Sequence, residues 1–342
     1  MWKHVHWFLT GRCNLECVHC FRPRLKEKEC FEKIQTLAGI LAENAQKVTF
    51  TGGEPTLVPS FFATADFLKS KGIVTCLHTN GISLDGRFSE LKGMVDDIAV
   101  PLDSLDSDVQ EYLKGRDYLP LALRAIEQIR SAGIKLGVHT VFCDQNAGSI
   151  PKIHRFLRSQ GYSYWNVYEY TPDLVADRFT SCERFLQVQG LGGSSSLEKG
   201  GTDSLFGRFL EAEALIRRTK DRRLNFVSHN DVRPYVFLDS NGELYYSVFF
   251  SGKRVRIGNL LEQGYEKVDE ELEKAKTQGI LFDQESFVEL EQDKPLFARL
   301  YEGNYDNEEL DEVDGRSWNK IGRLHDLYVA RVEREEKKPV LI

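Results

Sequence analysis

Three cysteines near the start of the chain have the spacing of a metal-cluster loop. Cys13, Cys17 and Cys20 lie in the run T-G-R-C-N-L-E-C-V-H-C-F. Three thiolates at C-x3-C-x2-C can hold three irons of a 4Fe-4S cube, whereas such clusters are normally closed by four cysteines. The loop therefore predicts one iron that is open to a non-protein ligand, and a site that does chemistry.

Two other interpretations of the cysteine loop are a chance grouping and a zinc site. Structural zinc sites use four ligands, often arranged as two pairs, and this run supplies three thiols. His19 could be proposed as a fourth ligand, but it adjoins Cys20 on a tight loop, where the geometry for joining the same metal is poor. The spacing favours the iron-sulfur cluster.

A second motif, G-G-E-P, occupies Gly52 to Pro55. Two glycines allow the backbone to approach a ligand without a Cβ in the way. The carboxylate of Glu54 can accept hydrogen bonds from a ligand ammonium. The alternative is an ordinary turn before a helix with Pro55 near its start. Because the motif follows the cysteine loop by thirty-odd residues, we favour ligand binding.

The elements that must position these motifs alternate between apolar strands and amphipathic helices, which is typical of β/α units around a parallel sheet. Six strands are predicted, at Val5 to Leu9, Lys47 to Thr51, Val74 to Thr79, Asp97 to Pro101, Lys135 to Phe142 and Trp165 to Tyr170. Helices are predicted at Cys30 to Asn44, Pro59 to Lys71, Phe88 to Lys92, Pro120 to Ala132 and Ile150 to Gln160. Both motifs would then emerge at the carboxyl end of the sheet, where such proteins form active sites.

The cysteine triad followed by G-G-E-P resembles the radical S-adenosylmethionine (SAM) superfamily, and the resemblance covers residues 5 to 170. It implies an α/β fold, a partial (β/α)6 barrel, here followed by a C-terminal α+β extension. It also implies a 4Fe-4S cluster whose open iron is chelated by the amino and carboxylate groups of S-adenosylmethionine. The expected chemistry is reductive cleavage of that cofactor to a 5'-deoxyadenosyl radical, with a reducing partner such as flavodoxin or ferredoxin.

The resemblance extends to residues after the third and fourth strands. Thr79-Asn80-Gly81 is similar to a T-N-G motif near the S-adenosylmethionine of relatives, although a plain left-handed turn is an alternative. In P-L-D-S, Pro101 replaces a serine of many relatives, so Asp103 or Ser104 is expected to contact the ribose. Asp103 could equally be a helix cap.

The fifth strand adds one more predicted site residue. In the run from Gly137 to Phe142, His139 stands where relatives often have asparagine, and Gly137 where they have lysine. His139 is expected either near the adenosine or substrate, or as a hydrogen-bonded core residue. The predicted cofactor-binding set is thus Gly52, Gly53, Glu54, Thr79, Asn80, Asp103, Ser104 and His139.

Three functions remain open. The runs Y-V-F-L-D-S-N-G-E-L-Y-Y and R-V-R-I-G-N-L are similar both to viperin-like enzymes, which dehydrate nucleoside triphosphates, and to peptide maturases without auxiliary cysteines. A small anionic substrate such as a nucleotide is favoured by the basic residues Arg12, Arg22, Arg24 and Lys26, which otherwise form a solvated surface. Modification of a peptide or protein side chain is the alternative. A redox-sensing iron-sulfur or zinc protein without catalytic activity is the third.

Composition narrows the partners and the compartment. The 342 residues carry a net charge of −7, so there is no polybasic footprint and nucleic-acid binding is not favoured. The seven cysteines form no disulfide pattern, and none follows Cys182, so we expect a reducing, cytoplasmic location and a single cluster. No run approaches the roughly 20 apolar residues of a membrane span, and the start of the chain is too polar for a signal peptide.

The pattern divides the chain into three parts. Residues 1–170 are predicted to form the partial barrel, with the cluster loop at 10–22. Residues 171–262 are an extension with a mobile Gly/Ser loop at 190–204, a helix, and a hairpin whose strands are joined by D-S-N-G. Residues 263–342 are an acidic tail, predicted to be mostly helical.

Overall fold

Six parallel strands form the centre of the fold, in chain order. They are β1 (Val5–Thr10), β2 (Lys47–Gly52), β3 (Val74–His78), β4 (Asp97–Pro101), β5 (Lys135–Phe142) and β6 (Tyr164–Glu169). The computed structural model describes residues 1–20, 30–170, 212, 219–227, 232–249 and 255–277. Every residue of β1 is buried, as expected for a central parallel strand that is covered on both faces.

Helices between the strands cover the outer face of the sheet. They are α1 (Phe31–Asn44), α2 (Phe61–Ser70), α3 (Ser107–Lys114), α4 (Leu119–Ser131) and α5 (Ile150–Gln160). In α4, Ala122, Ala125, Ile126 and Ile129 are buried, and their spacing of three or four places them on one side of the helix. Full burial of the larger side chains, Ile126 and Ile129, stabilises the fold by about 1.5–3 kcal/mol each.

Strands from the C-terminal part of the chain extend the sheet at both ends. They are β7 (Leu224–Val227), β8 (Val232–Asp239), β9 (Glu243–Phe249) and β10 (Val255–Asn259), followed by α6 (Leu260–Gln263) and α7 (Tyr265–Thr277). The order in the sheet is β10-β9-β8-β1-β2-β3-β4-β5-β6-β7. β8 is parallel to β1, and β7 is parallel to β6. The hairpin of β8 and β9 and the pairing of β9 with β10 are antiparallel. The predicted α/β fold with a parallel sheet and a C-terminal extension is confirmed.

The predicted elements differ from the structure at a few points. The helix predicted from Pro59 begins at Phe61, and the segment Phe88–Leu91 is a 3₁₀ helix. The prediction missed α3, which is short and mostly polar. The side chain of Asp106 caps α3 by accepting hydrogen bonds from the N–H groups of Asp108 and Val109, at 3.0 and 3.2 Å. The cap is therefore Asp106 and not Asp103.

The chain divides into two compact units. The first comprises Met1–Gln189 and Lys220–Leu281 and contains all the elements named above. Of the second, Gly190–Thr219 and Phe282–Ile342, only residues 212 and 219 lie within the described part of the chain. The loop predicted at 190–204, most of the following helix, and the tail beyond 277 therefore lie outside it. None of the helices in the described ranges has the length and apolar character of a membrane span.

Candidate functional site

The three predicted cluster ligands lie on the loop that follows β1. Cys13, Cys17 and Cys20 form no disulfide bond, and each is partly exposed. Burial raises the pKa of Cys17 to about 12, Lys114 opposes the rise, and Cys20 and Cys13 add to it, so the three sulfurs act on one another. In the described part of the chain, no three His, Cys, Asp or Glu side chains converge on a single ion. This donor set fits a cube, which binds each thiolate at a different iron.

The G-G-E-P turn holds the cysteine loop through the backbone. The N–H of Gly53 donates to the carbonyl of Thr10, and the N–H of Glu54 to that of Arg12, both at 2.7 Å. A Cβ at Gly53 would lie 2.0 Å from the carbonyl oxygen of Arg12, and one at Gly52, where φ is 119°, would lie 2.5 Å from that of Thr10. The absence of a Cβ at Gly52 and Gly53 thus leaves room for the backbone that leads into the cysteine loop. Contact of Gly52 and Gly53 with a ligand stays a prediction.

Glu54 joins this turn to the end of β3. Its side chain is 1% exposed and accepts hydrogen bonds from Thr56 Oγ1 at 2.5 Å, Thr79 Oγ1 at 2.7 Å and the N–H of Asn80 at 2.7 Å. Burial raises the pKa of Glu54, and these hydrogen bonds oppose the rise. Among the hydrogen bonds of the described residues, Oε2 accepts only the one from Asn80, which leaves an acceptor position for a ligand ammonium.

The T-N-G segment contacts the cysteine loop directly. Asn80 Nδ2 donates to Asn14 Oδ1 at 2.7 Å and lies 3.7 Å from Cys13 Sγ. Its Oδ1 accepts from the N–H of Ile82 at 3.0 Å, and Gly81 has a left-handed φ of 76°. The segment is therefore a left-handed turn that places Asn80 beside a predicted cluster ligand, whereas contact of Thr79 and Asn80 with S-adenosylmethionine stays a prediction.

Asp103 and Ser104 lie in the interior. Both are fully buried, and Asp103 Oδ2 is 2.5 Å from Lys114 Nζ and 3.7 Å from His19 Nε2. Burial pushes the pKa of Asp103 up, but Lys114 and His19 outweigh it, so the pKa lies below its ordinary value. Ser104 Oγ is 3.1 Å from Ser149 Oγ. A contact from either residue to a ribose stays a prediction.

Lys114 is a site residue that sequence reasoning missed. It lies in the last turn of α3, is 2% exposed, and approaches His19 Nε2 at 3.5 Å. No sequence pattern marks a lysine as buried, since lysine is almost always exposed unless it is paired. Only the fold brings it to Asp103.

Four histidines face the interior of the barrel. The ring centroids of His4 and His6 are 4.2 Å apart, those of His6 and His78 6.4 Å, and those of His78 and His139 4.3 Å. Burial lowers the pKa of His4 to about 4 and that of His139 to about 3, and it lowers the pKa of His78 as well. His4, His78 and His139 are therefore neutral near pH 7 and can each donate one hydrogen bond and accept another.

The rings of His4, His6 and His78 border a cavity of about 260 Å³. Polar side chains on several strands line it, among them His4, His6, Lys47, His78, Asn166 and Tyr168. His139 lies beside it, with Nε2 3.3 Å from Asn166 Nδ2 and its ring edge-on to Tyr168 at 5.3 Å. The structure thus places His139 inside the barrel and in polar contact, whereas its contact with a ligand stays a prediction.

Tyr164 fills the space beside Gly137. A Cβ at Gly137 would lie 2.3 Å from Cζ of the Tyr164 ring. The Tyr164 hydroxyl donates to Asp97 Oδ1 at 2.7 Å, and Cys76 Sγ donates to Asp97 Oδ2 at 2.8 Å. At Gly137 this chain therefore has a neighbouring tyrosine ring that is anchored to a carboxylate. Of the basic residues proposed for an anionic substrate, Arg22, Arg24 and Lys26 lie outside the described residues.

Comparison with known proteins identifies the family. Residues 7–157 match the model of the radical SAM superfamily. The chain is 28% identical over 164 residues to Fe-coproporphyrin III synthase of Methanosarcina barkeri, covering 46% of this chain and 41% of that one. It is 26% identical over 225 residues to the mycofactocin maturase MftC of Mycolicibacterium smegmatis, covering 56% and 57%. It is 32% identical over 156 residues to an S-adenosylmethionine-dependent nucleotide dehydratase of Lacinutrix mariniflava, covering 40% and 32%.

The chain thus spans between a third and just over half of the length of these curated relatives. Its fold is also similar to that of Streptococcus suis SuiB bound to the precursor peptide SuiA, with a TM-score of 0.58 and 16% identity. That match covers 82% of this chain and 66% of SuiB. The family model spans the strands and the loop that hold the three cysteines, the G-G-E-P turn and Asn80. By motif and by this match, residues 7–157 belong to the radical SAM superfamily.

Proposed function

We propose that this protein is a radical SAM enzyme with one 4Fe-4S cluster that acts on a small, anionic substrate, a nucleotide being the leading candidate. The family match and three cysteines on one loop, none of them in a disulfide, support the cluster. When bound, the cluster and S-adenosylmethionine supply a 5'-deoxyadenosyl radical that abstracts a hydrogen atom. A flavodoxin or ferredoxin is the proposed electron donor.

The residues of the chain have distinct roles in this proposal. Cys13, Cys17 and Cys20 hold the cluster. Glu54, whose Oε2 has an acceptor position left, receives the ammonium of the cofactor, and Asn80 fixes the loop next to Cys13. Because Glu54 already accepts hydrogen bonds from the protein, it is preorganised and does not have to move when the cofactor binds.

A polar cavity inside the barrel supports the substrate class; it reaches from Lys47 and Asp97, at the amino ends of β2 and β4, to His78 at the carboxyl end of β3. Its volume of about 260 Å³ suits a small molecule or part of one, and its lining offers the ammonium of Lys47 and several imidazoles. Asp97, the carboxylate among the lining residues, already accepts hydrogen bonds from Tyr164 and Cys76. The other hydrogen-bond donors of the lining, chiefly the Lys47 ammonium and the imidazoles, favour phosphate or carboxylate oxygens. The nucleotide dehydratase among the relatives is consistent with a nucleotide.

The test is anaerobic reconstitution followed by incubation with S-adenosylmethionine, reductant and a panel of nucleotides and sugar phosphates. We expect at least one of them to increase the 5'-deoxyadenosine that is formed. Lys47→Gln should reduce that increase, whereas the surface variant Lys69→Gln should not. If the fully loaded protein responds to no member of the panel, the substrate class is wrong. If it cleaves no S-adenosylmethionine at all, the radical chemistry is wrong too.

Radical modification of a peptide is the second candidate. It is favoured by the 225-residue alignment with the maturase MftC, which is longer than the 151 positions of the family match. The discriminating measurement is the mass of a candidate precursor peptide after incubation, because hydrogen loss or cross-linking changes that mass. Metal analysis tests the remaining alternative, a sensor: about one zinc per chain without S-adenosylmethionine binding would support it.

A further inference from the structure

A buried ion pair lies against the cysteine loop. Lys114 Nζ and Asp103 Oδ2 are 2.5 Å apart, and the two side chains are 2% and 1% exposed. Removing two charges from water is costly even when they are paired. The distance between Lys69 Nζ and Asp96 Oδ1 is also 2.5 Å, but each of these side chains is 32% exposed, so that pair avoids most of the cost. Interactions with the surrounding residues should therefore offset the cost of burying the Lys114–Asp103 pair.

Those surroundings are the cysteine loop itself. The N–H of Val18 donates to the carbonyl of Leu113 at 3.1 Å, so the loop is bonded to the last turn of α3. His19 Nε2 lies 3.5 Å from Lys114 Nζ. An ideal Cβ on Gly115, the left-handed residue that ends α3, would lie 3.0 Å from the carbonyl oxygen of Glu16. The end of α3 thus holds the lysine ammonium against the residues between the cysteines.

The two charges of the pair meet the cysteine loop at the same side chain. Lys114 Nζ lies 3.5 Å and Asp103 Oδ2 lies 3.7 Å from Nε2 of His19, the residue before Cys20, so the ammonium is the nearer charge. Lys114 also belongs to the helix turn that is bonded to Val18, whereas Asp103 lies outside α3. In a buried site of low dielectric, an ammonium held this close to the loop stabilises negative charge that is added there.

We infer that Lys114 is an electrostatic tuning residue whose buried ammonium stabilises the reduced state of a 4Fe-4S cluster on Cys13, Cys17 and Cys20, with Asp103 holding it in place. The step is the addition of one electron from the external reductant, in which no bond breaks. Net charge, hydrogen bonds and exposure set the potentials of such clusters. The inference rests on the proposed cluster and not on the proposed substrate.

The test is a redox titration of the reconstituted protein, followed by the electron paramagnetic resonance signal of the reduced cluster. For Lys114→Gln we expect a fall of about tenfold in the equilibrium constant of reduction, which converts to about 59 mV. For the double variant Asp103→Asn/Lys114→Gln, which removes both charges, we expect the same equilibrium constant to fall about threefold, or about 28 mV. Lys114→Arg keeps the charge and should stay at the wild-type potential. The matched control Asp96→Asn/Lys69→Gln removes an exposed pair and should not shift it.

Three results would overturn the inference. One is an unchanged or raised reduction potential in both Lys114→Gln and Asp103→Asn/Lys114→Gln when their clusters are loaded. The second is a shift in Lys114→Arg as large as that in Lys114→Gln, because the charge would then not be decisive. The third is that Lys114→Gln and Asp103→Asn/Lys114→Gln both fail to hold about four irons while the control binds a full cluster. The ion pair would then have a structural role. If the wild type fails to bind four irons, it is the proposed function that is refuted.

Discussion

Gly53→Ala tests how the G-G-E-P turn supports the cysteine loop. The added methyl group would lie 2.0 Å from the carbonyl oxygen of Arg12, 2.6 Å from its carbonyl carbon and 2.9 Å from that of Gly11. All three atoms belong to the backbone, so no side-chain rotation relieves the contact. The loop has to move away, and its hydrogen bonds from the N–H groups of Gly53 and Glu54 are lost or lengthened.

The size of the effect follows from two contributions. Each hydrogen bond contributes about 0.5–1.5 kcal/mol. Overpacking at a close-packed position typically costs about 1–3 kcal/mol. Gly53→Ala should therefore destabilise the protein by about 2–6 kcal/mol. It should also lower the iron content after reconstitution, because displacement of Arg12 also displaces Cys13.

The assay compares Gly53→Ala with Gly39→Ala in denaturant unfolding and in iron content per chain. Gly39 lies inside α1, and a Cβ there would meet no atom within 4 Å. That control should stabilise the helix by about 0.5–1 kcal/mol and load iron normally. If Gly53→Ala keeps wild-type stability and four irons, the glycine is not required by the loop backbone, and our explanation of the motif is wrong.

Three further predictions concern other parts of the molecule. Asn80→Ala should speed the loss of iron to a chelator, since it removes the hydrogen bond of 2.7 Å that fixes the cysteine loop; a wild-type rate would contradict this role. Arg223 lowers the pKa of Asp221, so Asp221 stabilises the fold above its ordinary pKa of about 3.9 and loses this effect as the pH falls further. Asp221→Asn should cost about 1.5–3 kcal/mol in urea unfolding at pH 7, and the difference should narrow only below about pH 4. Gly137→Ala should cost about 1–3 kcal/mol because it displaces the Tyr164 ring, and a double-mutant cycle with Tyr164→Ala should recover part of that loss.

The sequence was sufficient for the six central strands and for the residues whose type is itself a signal, whereas β7 and β10 were not predicted. The predicted limits of Asp97–Pro101 and Lys135–Phe142 agree with β4 and β5, because apolar and β-branched runs there are bounded by turn residues. Cys13 and Glu54 were recognised from motifs that are local in the chain. Such motifs need no tertiary information.

What the sequence could not show depends on contacts between distant residues. The methyl-sized gap at Gly53 is filled by the carbonyl of Arg12, 41 positions earlier in the chain, and a motif alone cannot tell backbone from ligand. Lys114 sits on a short polar helix whose pattern is typical of a solvated segment. Its burial results from tertiary packing that overrides that pattern. The interior histidines became a group only when β1, β3 and β5 were placed around one barrel interior.

The position of β1 between β2 and β8 also has a consequence for synthesis of the chain. β1 leaves the ribosome before the other strands of the sheet, but its partner Val236–Asp239 follows about 230 residues later. At roughly 5–20 residues per second, one edge of β1 stays unpaired for on the order of 10–45 s. An open strand edge is a template for association with other chains. The nascent barrel is therefore most vulnerable to aggregation before β8 emerges, and the last part of the sheet to be translated is also the part that protects the first.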